Sequence, residues 1–461
     1  MIAINSVLSR REKLGYALGD SASNFYWKVL EFFALFFYTD VFGISPGAAG
    51  TLFLIARAWD AVFDPVMGAI ADRTHTRWGS FRPYLVWFAL PIALAGVAMF
   101  TSPHFSEHGK LIYAYATYII FYMLYSAINI PYSALMGVIT PRTNERAELA
   151  SYRFIGAFAV ALIVQTFTPK LARIFGGDSA QRGWQLVLAS YGVIAALLFV
   201  LCFSTTRERM RPPREQRASV KADLSALLVN RPWIVMFGLG TLVIAGFALR
   251  GGTLYYYFKY YLRDENAFVA FMFSGGIAAL AGTALMPFGS RRLGKRRLYF
   301  YCMAGAALLT LPYYFLRPEE RAAIYGLNAA IAFLLGPTPA LMFAMFADTA
   351  DYGEWKTGRR TTGFVMAAAM LSLKLGGALG GAANGWILEA YGFSANHPQS
   401  ARAERGILLL MGVVPAASCA LAALLSRLYR LDERLLMQIE QELEARRHHV
   451  SAHDSAPQVA A

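Results

Sequence analysis

Phe53-Leu-Ile-Ala-Arg57-Ala-Trp59-Asp60-Ala-Val-Phe63-Asp64-Pro65-Val-Met-Gly68 sets an arginine and two aspartates inside a stretch otherwise apolar enough to cross a bilayer. On a helix, positions 57, 60 and 64 share one face. A charge at membrane depth costs at least ~2.5 kcal/mol, so such residues normally line a water-filled pathway and bind something there. Two carboxylates one turn apart repel each other in a poorly polarisable site, and a cation held between them removes that repulsion. Pro65 has no amide hydrogen, so the carbonyl of Ala61 loses its helical partner and could join the same oxygen set. The competing reading of this stretch is a structural ion pair between the acids and Arg57.

Outward from this segment the chain stays apolar. Of its 461 residues 57% are hydrophobic and only 16% charged, against ~25% charged in soluble domains. Twelve stretches are long enough to span, near 16–42, 47–70, 84–102, 111–139, 151–175, 184–205, 232–262, 267–289, 298–316, 321–346, 362–391 and 406–429. The fold class expected is all-α and integral to the membrane. Its organisation is an N-terminal six-helix half (1–205), a polar, basic linker (206–231) containing Pro212 and Pro213, a C-terminal six-helix half (232–430) and a charged tail (431–461).

The formal net charge of +14 suggests nucleic acid, but its distribution excludes it. The basic residues gather in alternate loops, at Arg73 to Arg82, Arg142 and Arg146, Arg207 to Lys221, Arg291 to Arg297, Lys356 to Arg360, and in the tail. That is the positive-inside pattern, and it puts both termini in the cytoplasm. Cys202, Cys302 and Cys419 stand singly in apolar runs, without metal or disulfide spacing. His75, His104, His108 and His397 are isolated, and no nucleophile motif or metal set appears, so an enzyme is not expected. The His448 and His449 pair lies in the tail and reads as solvated.

The halves share a loop. Gly68-Ala-Ile-Ala-Asp72-Arg73 to Arg82-Pro83 follows the second helix, and Gly289-Ser-Arg291-Arg292-Leu-Gly294-Lys295 follows the eighth. Both resemble the Gly/Asp/Arg loop that major facilitator transporters carry in each half, a fold built from parallel repeats. Further motifs narrow the resemblance: Lys13-Leu-Gly-Tyr16 to Asp20 and Asn24, Phe36-Phe37-Tyr38-Thr39-Asp40, Asp60 to Asp64-Pro65, Tyr125-Ser126 to Asn129-Ile-Pro131-Tyr132, Asp348-Thr-Ala-Asp351-Tyr-Gly-Glu354, and Lys374-Leu-Gly376-Gly377. Over nearly its whole length the chain resembles the glycoside–pentoside–hexuronide:cation symporters, the family of the melibiose permease.

The resemblance implies import of a sugar or glycoside with sodium or a proton, in the bacterial inner membrane, by a monomer without a cofactor. A transporter of another substrate on the same scaffold, such as a lysolipid, is the alternative. It assigns the cation, sodium if the protein is sodium-coupled, to Asp60 and Asp64 with the hydroxyl of Ser126; such oxygen ligands suit hard cations. The family's sugar-contacting acids fall at Asn24 and Asn129, its neighbouring lysine at Ser23, and the fourth-helix tryptophan at Ser133. Tyr125, Asn129 and Ser133 share a polar, aromatic face suited to a sugar, and Arg153 matches a sugar-site arginine. Arg153 could instead neutralise carboxylates between substrate loads. With Lys374, which must face the cavity or an acid, it tilts the pocket positive, so an acidic sugar is conceivable. Gly377, Gly381 and Gly385, spaced by four, are expected to let another helix approach the eleventh. Lys28 and Glu31 are expected to pair. Asp348, Asp351 and Glu354 are expected in a loop whose salt bridges, with partners such as Arg142, form a cytoplasmic gate.

Overall fold

The computed structural model describes residues 8–140, 142–209, 227–358 and 362–454, and among these the chain is helical. The first span, Arg10–Phe36, runs on as a π-helix, Phe37–Phe42. The second is Pro46–Arg73, the fourth Glu107–Ile139, the fifth Thr143–Gly176 and the sixth Ala180–Thr205. The third is broken into Arg82–Trp87 and Ala89–Met99. Pro91 explains the break, since its ring crowds the carbonyl of Trp87 and it offers no N–H.

The second half repeats the plan. The seventh span, Arg231–Tyr256, again ends in a π-helix, Tyr257–Tyr261. The eighth is Ala267–Leu293, the ninth Lys295–Thr310 and the eleventh Thr362–Ala390. The tenth comprises Arg321–Leu335 and Thr338–Thr357, split at Gly336-Pro337. The twelfth joins Ala401–Leu408 to Val414–Leu428 through a π-turn, and Glu433–Asp454 follows as a tail helix.

Eight of these helices are apolar and long enough by composition alone to cross a membrane. The first and second spans are not among them, and those carry Asp20, Lys28, Glu31, Arg57, Asp60 and Asp64. Their polarity is where the site lies. The acidic run expected as a loop is helical: Asp348, Asp351 and Glu354 sit in the last turns of the tenth span. That helix continues to Gly358, whose φ of 70° closes it in the left-handed form.

The halves meet along three pairs of spans, first with seventh, second with eleventh, and fifth with eighth. The eleventh span lies close to its neighbours, though on a different stripe from the one expected. A Cβ at Gly376 or Gly380 would stand 2.3 or 2.4 Å from the carbonyl oxygens of Thr241 and Ala245 in the seventh span. One at Gly385 would stand 2.1 Å from that of Pro46. Gly377 and Gly381 have ordinary van der Waals spacing at 3.9 and 3.6 Å. Only Gly385 of the expected stripe is sterically required.

Two apolar clusters fill the interior. One crosses between the halves at the end away from the termini, where Phe36 meets Tyr255 edge-on with ring centroids 4.6 Å apart. The other, around Trp233, Tyr299, Met345, Phe346 and Tyr429, belongs to the C-terminal half alone.

Candidate functional site

Asp60 and Asp64 come from successive turns of the second span and face the fourth. There Ser126 places its Oγ 2.6 Å from Asp60 Oδ1 and 2.7 Å from Asp64 Oδ1. A serine hydroxyl has one proton to donate, so three oxygens converge around a single hydrogen. Asp60 and Ser126 are both buried, and Asp64 is only partly open. Such a cluster is short of positive charge, and Lys374 of the eleventh span supplies it. Its ammonium lies 2.9 Å from Asp60 Oδ2 and also bonds Asp64 Oδ2.

Of the two settings expected for Lys374, the cavity or an acid, the structure gives the acid: its ammonium sits on the Asp60–Asp64 pair, and two carboxylates are the strongest partners within reach of an intramembrane ammonium. The expected alternative for the acids, pairing with Arg57, is a loose contact: Arg57 Nη1 stands 4.0 Å from Asp60. Its guanidinium is held between the rings of Trp27 and Tyr122, 4.5 Å from each centroid.

The residues assigned to the sugar gather on the first, fourth and fifth spans. Asn24 donates to Asp20 of its own helix, at 2.8 Å to the carbonyl and 3.3 Å to the carboxylate. Arg153 Nε donates to the other carboxylate oxygen of Asp20 at 2.8 Å, and its guanidinium lies over Tyr132. Asn129 donates to the carbonyl of Tyr125 one turn back, at 3.0 Å. Tyr125 stacks on Trp27 with centroids 6.0 Å apart, and Ser133 is exposed. Lys28 pairs with Glu31 at 2.6 Å.

Sequence reasoning gave Asp20 no role, although a carboxylate four residues before Asn24 on one helical face was there to be weighed. Trp27 was also passed over; an aromatic three residues after Asn24 is the only signal it offered.

Two of the assigned gate residues, Asp348 and Arg142, have a partner in their own half. Lys295 holds Asp348 at 2.7 Å, and Arg142 holds Glu145 at 3.1 Å. Glu208, just after the sixth span, caps the backbone N–H groups of Ser80, Phe81 and Arg82 at 2.8 to 2.9 Å. Arg209 grips Glu12 at 2.8 and 2.9 Å. Arg359 and Arg360 lie outside the described residues.

The opposite end is cross-linked between halves. Asp40, whose side chain is wholly buried in the π-turn ending the first span, accepts from Lys259 at 2.7 Å and from the Tyr260 hydroxyl. Lys259 and Tyr260 belong to the corresponding π-turn of the seventh span. Thr39 bonds Tyr256 at 2.7 Å, and Asn396 donates to the carbonyl of Asp40 at 2.6 Å while accepting from Lys259 at 2.9 Å. Asp40 ends a quoted motif of the first span and Lys259 falls within the seventh apolar stretch, but no local pattern shows that the two repeats bring them together.

A family model described as "MFS/sugar transport protein" matches residues 15–433. The inner membrane symporter YicJ of Escherichia coli is 36% identical over 92% of both chains. The isoprimeverose transporter of Lactiplantibacillus pentosus is 35% identical over 94% of this chain and 91% of its own. Among solved structures, a bacterial homologue of the human lysosomal transporter Spinster, inward-facing and unoccupied, superposes with a TM-score of 0.69 at 15% identity, covering 92% of this chain and 98% of that one. The likeness is one of fold. These are membrane transporters, not enzymes. The chain belongs to the major facilitator superfamily, in its glycoside–pentoside–hexuronide:cation symporter family.

Proposed function

We propose that this protein imports a sugar or glycoside together with a cation, sodium or a proton, across the bacterial inner membrane by alternating access. One observation carries the reading: the oxygens of Asp60, Asp64 and Ser126 converge around one hydroxyl proton, and a lysine ammonium from the other half completes their charge. Lys374 stands where a coupling cation would stand. A sodium ion held by the three oxygens, or a proton taken by one carboxylate, weakens the hold on Lys374 and so loosens the contact between the second and eleventh spans.

The sugar binds beside this site, against Trp27 and Tyr125, whose rings suit the apolar faces of a pyranose, with Asn24, Asn129 and Arg153 for its hydroxyls. Because the two ligands share the fourth span through Ser126 and Asn129, each changes the other's affinity by the same factor. With the termini in the cytoplasm, the cross-linked end is the periplasmic one. The structure is then an inward-facing state.

The test is uptake into membrane vesicles of labelled glucosides, galactosides, xylosides and glucuronides, with and without an inward sodium or proton gradient. Accumulation of one of them above equilibrium only with a gradient is the expected result. Equal uptake with and without either gradient would make the protein a facilitator and remove the cation role of Asp60 and Asp64.

A further inference from the structure

The eighth and ninth spans are joined through Arg291-Arg292-Leu293-Gly294-Lys295-Arg296-Arg297, and the head of the tail helix, Glu433–Asp454, faces that turn. Between them lies a cavity of about 560 Å³, within the range of about 300–1,000 Å³ usual for small-molecule sites. Its lining includes no residue assigned to the sugar or the cation. The tail wall is fixed from behind. Ile439 and Leu443 are buried in the core of the C-terminal half, and Trp355 of the tenth span donates to Glu442 at 2.6 Å.

The lining is rich in cations: Arg292, Lys295, Arg296, Arg297 and Arg434. Three acids stand among them, and two are already engaged. Asp348 holds Lys295 at 2.7 Å, and Asp432 caps the tail helix by accepting from the Leu435 N–H at 2.9 Å. Among the described residues, no carboxylate lies within ion-pair distance of any of the four arginines. The ninth span also begins at Gly294 without a side-chain cap, which leaves its positive end open. Guanidinium forks gathered at a helix N-terminus suit a phosphate.

The rim indicates where that phosphate comes from. Leu293 and Met437 also line the cavity and are 42% and 56% exposed, and Phe288, beneath the Arg292 guanidinium, is 58% exposed. A soluble phosphate ester gains nothing from this apolar flank, whereas acyl chains would cover it. We propose that the cavity binds the phosphate headgroup of an anionic phospholipid, drawn from the leaflet at the end carrying the termini, with Arg297 and Arg434 holding it from the two walls. Glu433 opposes the binding. Its carboxylate lies beside Gly294, where a Cβ would stand 3.1 Å from Oε1, and it repels the incoming phosphate.

The experiment titrates the full chain, purified in neutral detergent, with phosphatidylglycerol and counts bound lipid by native mass spectrometry. Four forms are compared: the parent, Arg297→Gln with Arg434→Gln, Glu433→Gln, and Arg10→Gln with Arg11→Gln. The last pair is a control, two exposed arginines at the same end of the other half. At ~1 kcal/mol per arginine, affinity for the first lipid should fall about thirtyfold in the cavity variant. It should rise about fivefold in Glu433→Gln and stay unchanged in the control. Glycerol 3-phosphate at the lipid's saturating concentration should not displace the lipid. Equal losses in the cavity and control variants would show diffuse surface charge and overturn the proposal. Displacement by glycerol 3-phosphate would overturn it too, by making this a site for soluble phosphate esters. If the double arginine variant does not fold, Glu433→Gln decides alone, and unchanged or weaker lipid binding there overturns the proposal.

Discussion

The two ends of the molecule hold their charges in opposite ways. At the end carrying the termini, the ion pairs Arg142 with Glu145, Arg209 with Glu12, and Lys295 with Asp348 each close within one half. At the other end, Asp40 of the first repeat is bound by Lys259 and Tyr260 of the second, and Asn396 closes over the pair. The apolar core follows the same division: one cluster is shared between halves at the far end, while at the end carrying the termini its N-terminal part, with Tyr16, Phe81 and Ile139, is separate from the cluster of the C-terminal half. The lesson is that repeats of one architecture can be tied together when their matching ends carry opposite charges: Asp40 and Lys259 occupy corresponding π-turns, and their ion pair joins the halves at this end.

That contrast can be broken first at its strongest point. Asp40→Asn leaves Lys259 without its carboxylate, a loss of about 3–5 kcal/mol for a buried charge pair, which favours separation of the halves at this end. Cysteines placed at Ser106 and Glu319, exposed positions in the two halves at this end, can carry spin labels. The label distance is expected to be short and single in the parent and to lengthen or split in Asp40→Asn. The three native cysteines are buried and should not interfere. An unchanged distance distribution would mean that the aromatic packing of Phe33 and Phe36 on Tyr255 holds this end closed by itself.

A smaller effect sharpens the picture at the centre. If Lys374 competes with the coupling cation for Asp60 and Asp64, Lys374→Gln should tighten cation binding. A coupling of ~1–3 kcal/mol corresponds to a five- to 150-fold change. The readout is the cation concentration that half-saturates sugar binding by purified protein. A weaker cation affinity in Lys374→Gln would show that the lysine supports the site instead of standing in for the ion.

How much of this was legible in the chain follows from what each feature depends on. Twelve spans and the intramembrane acids were readable because membrane length and the cost of charge act locally, residue by residue. The break before Pro91 and the helical course of Asp348 to Glu354 are local too, yet a hydropathy window blurs both: one is a proline inside an apolar run, the other a polar end of a continuous helix. What the sequence could not display is which distant charge meets which. Lys374 lies 310 residues from Asp64, Lys259 lies 219 from Asp40, and Arg153 lies 133 from Asp20. Each of these pairings is made by the docking of one span on another.

The measurement that bears most directly on the cation site is the comparison of driven uptake with exchange in Asp64→Asn vesicles. With one carboxylate of the oxygen cluster neutralised, gradient-driven accumulation of the transported sugar should fall to the equilibrium level, while exchange of labelled for unlabelled sugar across the membrane persists. Accumulation that still follows the sodium or proton gradient in Asp64→Asn would contradict the account, because the coupling ion would then have to sit elsewhere.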